Sequence, residues 1–344
     1  MKRKSLGIAA ALLTITLLVA IVFYHHWHSG TSASGRAELL SLMPNDPSSV
    51  VFLDLGQFRA SSFLPQLMNW APAFPADEDY LRFVQATGFN YETDLDRVAL
   101  AFTRAGNAST VFAVADGRFD RKKIEAYAAR TGERFNQGGR VAFLLNLKNS
   151  GRKSFFTFLR DDRIAWTDDS AYAALFEPSH SFADKSSWEE QFLRLSGTAV
   201  FAVVRQDAAT AQILAQQAPG GFRSPQLASL LSQLQWITIG AKPEGKDLRV
   251  VMEGESSTES TIHQLQEFLG GILLMAQAGL NGPVNRKQLD PRLRAAYLEL
   301  LNSTQVENVD RGSNKSVRLI FVITPGFLDA VKGANPSAGT AGSH

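Results

Sequence analysis

The chain has 344 residues, with 45% hydrophobic, 20% charged and no cysteine, a globular composition long enough for one large domain or two ordinary ones. The absence of cysteine excludes disulfides, thiolate metal centres, iron–sulfur clusters and a cysteine nucleophile. Three of the 35 basic residues are Lys2, Arg3 and Lys4, so the other 32 face 33 acidic ones; no basic stripe with interleaved aromatics points to nucleic acid.

Leu6 to Tyr24, "LGIAAALLTITLLVAIVFY", is nineteen residues without a charge. At about 1.5 Å per helical residue it matches the roughly 30 Å hydrocarbon core of a bilayer. The basic cluster on one side, with no charge until Arg36 on the other, predicts a signal-anchor helix with its N-terminus in the cytoplasm and the bulk of the chain outside. A cleaved signal peptide is the competing reading, but the good small-residue cleavage sites lie around Thr31 to Ser34, behind Tyr24, His25, His26, Trp27 and His28.

His25, His26 and His28 surround Trp27 where amphipathic aromatics collect at a membrane–water interface. They are weak metal-ligand candidates, since on a continued helix His25 and His28 share a face while His26 points about 100° away. No carboxylate follows until Glu38. The interface reading is preferred, and no cofactor is assigned. Residues 29–35, "SGTSASG", read as a flexible tether spanning about 15 Å.

From "SSVVFLDL" onward the chain alternates strands and helices. Helical stretches are expected over 57–70 and 78–87, the second ended at Gly88, then a hairpin of "RVALAFT" and "STVFAVAD". Asp120 opens a helix that Gly132 closes, and "GRVAFLLNL", "KSFFTFLR" and "DRIAWTD" are three further strands before a short helix, "DSAYAALF". The order then recurs: strand "GTAVFAVVR", helices "DAATAQILAQQ" and "PQLASLLSQL", and the pair "QWITIGA" and "DLRVVMEG". A helix with a Ser256–Glu259 capping box follows, then a helix from Pro291, strands "TQVENVD" and "KSVRLIFVIT", and a short final helix.

Ile124 and Ile262 fall at equal steps after their strand pairs, which suggests duplication of a β-α-β-β-α-β-type unit. The expected fold class is therefore α+β: a transmembrane helix, then two repeated units with mainly antiparallel sheets and helices on one face. The boundaries are 1–28 for the basic cap and anchor, 29–35 for the tether, 36–185 and 186–331 for the repeats, and 332–344 for a disordered tail. "FLGGILLMAQAGL" (268–280) is too short for a second span and is expected to be buried core.

Catalytic patterns are sparse. His180, His263 and His344 are isolated, and Ser150–Lys153 matches S-x-x-K in a hairpin turn without its companion motifs. Asp94/Asp96, Asp161/Asp162 and Asp168/Asp169 suit turns and helix caps, although the 161–169 group is a weak calcium candidate. No phosphate-binding glycine loop occurs.

"LLSLMPNDPSSVVFLDLGQF", "GFNYETDLDRVALAF" and "DDRIAWTDDSAYAALF" resemble segments of an uncharacterised bacterial family of single-pass membrane-anchored proteins with a duplicated α+β extracytoplasmic domain. The resemblance spans roughly residues 1–325 and implies no activity or site residues. The expectation is a non-catalytic binding or scaffold protein of the cell envelope, held by one N-terminal helix and working with an envelope protein partner. An envelope enzyme or accessory subunit with a site between the repeats, and a carrier of lipid or another hydrophobic ligand, are the alternatives.

Overall fold

The computed structural model describes residues 33–334 apart from 45–46, 71–77, 106–107, 138, 147–152, 170–184, 208–224 and 313. The expected anchor Leu6 to Tyr24, Trp27 and the histidines His25, His26 and His28 lie outside the described residues. So do His180, His344, Ser150 and most of the helices expected over 169–176 and 207–217.

Twelve strands follow the hydrogen-bonded order β11-β12-β10-β9-β8-β1-β2-β3-β7-β6-β5-β4, an α+β fold built on an antiparallel sheet. The described chain divides into two compact units, and the division falls inside β8 (Val200–Arg205). One unit holds the described residues up to Ala60 and those from 78 to Ala202. The other holds Ser61 to Trp70 and the chain from Val203.

In the first unit β1 (Ser49–Asp54) is a β-branched and aromatic run whose residues Val50 to Leu53 are all buried, so both its faces are covered. It pairs antiparallel with β2 (Leu95–Ala105), which pairs in turn with β3 (Ala108–Gly117). The last strand, β7 (Arg163–Thr167), adds to β3, followed outward by β6 (Lys153–Arg160), β5 (Arg140–Asn146) and β4 (Gly132–Gln137).

Helix α6 (Arg121–Thr131) starts where the Asp120 carboxylate accepts the Lys123 N–H at 3.2 Å. Its buried Ile124 and Ala128 pack on Phe143, Phe156 and Phe158. Gly132 ends it, but in an extended conformation (φ −145°) rather than the left-handed cap expected. Glycine is needed there for another reason: a Cβ would stand 2.1 Å from the Leu144 carbonyl oxygen of β5.

The expectation of helices on one face fails in this unit. Helix α1 (Ala33–Ser41) reaches Arg163 through Glu38, while α6 touches the flanking Ile164. Successive strand residues point to opposite faces, so α1 and α6 cover opposite sides of the sheet. Ala33, Ser34 and Gly35, read above as tether, form the start of α1. The single helix expected over 57–70 is two: α2 (Leu55–Arg59) and α3 (Leu64–Trp70). Helices α4 (Glu78–Thr87), α5 (Tyr91–Asp94) and α7 (Lys185–Arg194) complete the described helices between β1 and β8.

In the second unit β9 (Trp236–Glu244) and β10 (Asp247–Ser256) form a hairpin through Gly245 at φ +64°. β12 (Asn314–Ile323) pairs with β10, and β11 (Gln305–Arg311) with β12. Leu230 and Leu234, on and just after α8 (Pro225–Ser232), join Ile262 and Leu265 of α9 (Glu259–Asn281) and Val317 in one core cluster. A short helix α10 (Pro283–Gln288) leads to α11 (Pro291–Ser303), and α12 (Pro325–Ala334) closes the described chain. Tyr297 of α11 meets Phe327 of α12 edge-on at 5.4 Å, and α3 packs on α12. Lys332 to Ala334, assigned above to the tail, belong to α12.

Two local expectations are corrected here. The capping box does not form: α9 begins two residues later than a Ser256 cap would set it, with Thr258 as its cap, and the Ser256 hydroxyl donates to the Gln233 carbonyl at 3.0 Å. The run 268–280 is not buried core, because the fully buried residues of α9 are Thr261, Ile262 and Leu265, while Leu274 and Met275 are 68% and 64% exposed. Among the described residues no helix is long and apolar enough to cross a membrane.

Candidate functional site

A buried cluster of charged groups lies where α1 meets the sheet. Arg97, Asp116 and Arg163 are neighbours across β2, β3 and β7, placed on one line by register. Arg163 is 3% exposed and grips Asp116 with two bonds, from Nε at 2.6 Å and from Nη2 at 3.1 Å. Arg97 adds a third contact to the same carboxylate at 3.4 Å. Planar guanidinium facing carboxylate is the strong, bidentate form of an ion pair.

Glu38 extends this set onto α1. Its carboxylate takes Arg163 Nη1 at 2.7 Å and Arg160 Nη1 at 2.6 Å. The hydrogen bond from Arg163 holds the Glu38 carboxyl below its ordinary range, against a smaller opposing effect of burial. On Arg163 itself burial disfavours the charge, but the bonds to Asp116 and Glu38 outweigh it and leave the guanidinium held more firmly protonated.

Two residues earlier, Arg36 is fastened differently. Its Nη2 donates to the carbonyls of Phe192 and Leu195 at 3.2 and 3.0 Å, and Nη1 to Thr198 at 3.4 Å. The guanidinium lies over Phe201 and Phe52, 4.5 and 5.3 Å from the ring centres, and those rings stack on each other at 5.2 Å. Burial pulls the Arg36 pKa down to about 10, partly opposed by Asp54. Arg36 and Glu38 are the first basic and the first acidic residue after the expected anchor. That order was the sequence signal for this cluster, although nothing in the pattern showed what they bind.

A related polar set lies in the second unit. Glu253 of β10 stands opposite Arg318 of β12 and pairs with it at 3.0 Å. Its other oxygen accepts the hydroxyl of fully buried Ser316 at 2.6 Å, and Arg318 reaches Glu307 at 3.2 Å. Buried Glu255 accepts a bond from Asn314.

The acidic pairs singled out in the sequence do not converge. Asp161 and Asp162 occupy the turn before β7, where they meet Arg121 and Arg160 at 3.0 Å each. Asp168 and Asp169 follow its far end, and Asp168 accepts the Val111 N–H at 2.8 Å. Five strand residues at about 3.3 Å each separate the pairs, so the calcium candidate is withdrawn. Asp94 accepts the Asn90 N–H at 2.8 Å, and Asp96 pairs with Arg59 at 2.7 Å. His263 is exposed on α9 and lies 3.8 Å from Glu259 one turn away. Among the described residues no group of three His, Asp or Glu side chains is arranged to hold a metal ion.

Comparison with protein-family models and with the curated proteins finds no match. Among solved structures, crystal forms I and III of TP0453 are similar over 86% of this chain and 96% and 97% of theirs. Their TM-scores are 0.45 and 0.46, at 7% identity. Crystal form IV has a TM-score of 0.41 at 9% identity, covering 87% of this chain and 99% of that one.

Proposed function

We propose that the chain is a non-catalytic binding or scaffold protein of the cell envelope, held in the cytoplasmic membrane by Leu6 to Tyr24, with its folded part outside. The observation that carries this reading is the double fastening of α1. The helix that follows the anchor is held by Arg36 to the carbonyls at the end of α7 on one side and by the Glu38–Arg163–Asp116 chain to the β-sheet on the other.

The duplication read from the sequence belongs to the same proposal. The order β1-β2-β3-β7-β6 is matched by β8-β9-β10-β12-β11, with β5 and β4 as additions to the first unit, and each has its core helix after the third strand. Asp116–Arg163 and Glu253–Arg318 are both acid–arginine pairs directly opposite each other on the third and last strands. Two copies of one unit, each with an internal charge clasp, suit a scaffold that presents surface to an envelope partner.

The test is extraction of membranes at alkaline pH from cells making the full chain, beside a variant with Leu12, Leu13, Leu17 and Leu18 changed to Asp. The full chain is expected to stay with the membrane at its full mass, and the variant to be released. Release of the full chain, or recovery of a shortened one, contradicts the reading.

A further inference from the structure

Helix α9 changes character halfway along its outward stripe. In its first half the exposed positions are Glu259, Ser260, His263, Gln264 and Glu267, all polar. Three turns further on, the same stripe carries Gly271, Leu274, Met275, Ala278 and Gly279 before it ends at exposed Asn281. Leu274 and Met275 are among the few large apolar side chains left open to solvent in the described chain, and a Cβ placed on Gly270, Gly271 or Gly279 would meet nothing. The apolar half is thus a convex, smooth ridge and not a groove.

Charge follows the same division. No charged residue occurs from Phe268 to Asn285, eighteen positions in all. The next nine, 286–294, carry four basic residues against one acidic. That acidic residue, Asp290, is engaged, capping α11 by accepting the Arg292 and Leu293 N–H groups at 2.8 and 3.1 Å. Arg286 and Arg292 are exposed.

We infer that the distal half of α9, with the basic segment that follows it, lies on an anionic lipid surface, the apolar stripe entering the acyl boundary and the arginines meeting headgroup phosphates. Apolar ridge beside basic rim is the pattern of interfacial helices, in which buried apolar area and attraction to anionic headgroups act together. A partner protein with an acidic groove would match the charge but would be expected to meet a ridge with specific polar contacts, and the eighteen uncharged positions offer Gln277, Asn281 and Asn285 alone.

The cysteine-free chain allows a direct test. The full-length protein, carrying a single cysteine at position 275 or 274 and an environment-sensitive fluorophore on it, is placed in vesicles of phosphatidylcholine and phosphatidylglycerol. A nitroxide on the acyl chain serves as quencher. Leu193→Cys, at a 72% exposed leucine of the first unit, and His263→Cys, on the polar half of the stripe, are the controls. The expected result is blue-shifted emission at 274 and 275, quenched several-fold more than at 193 and 263, with the difference reduced in vesicles lacking the anionic lipid. Water-like, unquenched emission at both positions overturns the proposal. So does a blue shift that grows with protein density without nitroxide quenching, because a second copy of the chain then covers the ridge.

Discussion

Arg163 and Asp116 face each other directly across β3 and β7, and two hydrogen bonds of 2.6 and 3.1 Å close them into a bidentate pair that is almost wholly buried. Removing one partner of such a pair leaves an uncompensated buried charge, which costs about 3–5 kcal/mol. Asp116→Asn is expected to lose close to that amount in denaturant unfolding, since it removes the buried carboxylate that Arg163 and Arg97 share. Glu38→Gln is expected to cost about 1 kcal/mol, because Glu38 is 47% exposed and solvent screens its ion pairs. A larger loss for Glu38→Gln than for Asp116→Asn contradicts this ranking.

Acid unfolding separates two carboxylates of opposite sign. Glu38 has a folded pKa lowered from 4.5 by its bond to Arg163, so its stabilisation is fully present above 4.5 and is lost as pH falls through the folded value. Asp54 has a folded pKa raised from 3.8, first by burial, so its ionised form costs stability above that raised value and the cost is relieved as pH falls through it. Glu38→Gln should therefore flatten the acid limb of the stability profile, and Asp54→Asn should steepen it. Stability curves measured from pH 3 to 7 by urea titration check both, the pH window being about one to two units either side of the carboxylate range.

Arg36 binds carbonyl oxygens and ring faces together, a combination that lysine cannot reproduce. Arg36→Met and Arg36→Lys are each expected to cost about 2 kcal/mol. Hydrogen exchange should rise within Ala33–Ser41 more than in the strands. Uniform loss of protection over the whole chain would show that Arg36 supports the fold in general rather than the seating of α1.

Gly132→Ala is expected to destabilise by about 1–3 kcal/mol, since the new Cβ would meet the Leu144 carbonyl oxygen at 2.1 Å and backbone must shift. Gly139→Ala is the comparison. There nothing stands within 4 Å, and the cost comes from a φ of +74° alone. A thermal melt of the two variants should show β4 separating from β5 only in the first, detectable by exchange at Arg134 to Asn136.

Much of this fold was legible from pattern. The hairpin of β2 and β3, the Asp120 start of α6 and the Gly88 stop of α4 all rest on local signals: alternating apolar residues, a carboxylate cap, and a glycine at φ +74°. Strand β4, "GERFNQ", escaped because it ends the strand order, where the mixture of Glu133, Arg134 and Asn136 keeps an edge soluble but carries no apolar alternation. The Asp116–Arg163 clasp was hidden for a different reason. Its members lie 47 residues apart, and only the register of β3 against β7 brings them together. The distal half of α9 misled because an apolar run predicts burial, while burial is decided by whether a neighbouring element reaches it.

Membrane attachment with the folded body outside is tested most directly by single-cysteine topology labelling. In a chain without native cysteine, Ser5→Cys reports the side before the anchor and Leu193→Cys, at an exposed α7 position, the folded body. With a membrane-impermeant maleimide on intact spheroplasts, labelling is expected at 193, and at 5 only after lysis. Labelling at 5 with protection of 193, or loss of the protein into the soluble fraction, would contradict it.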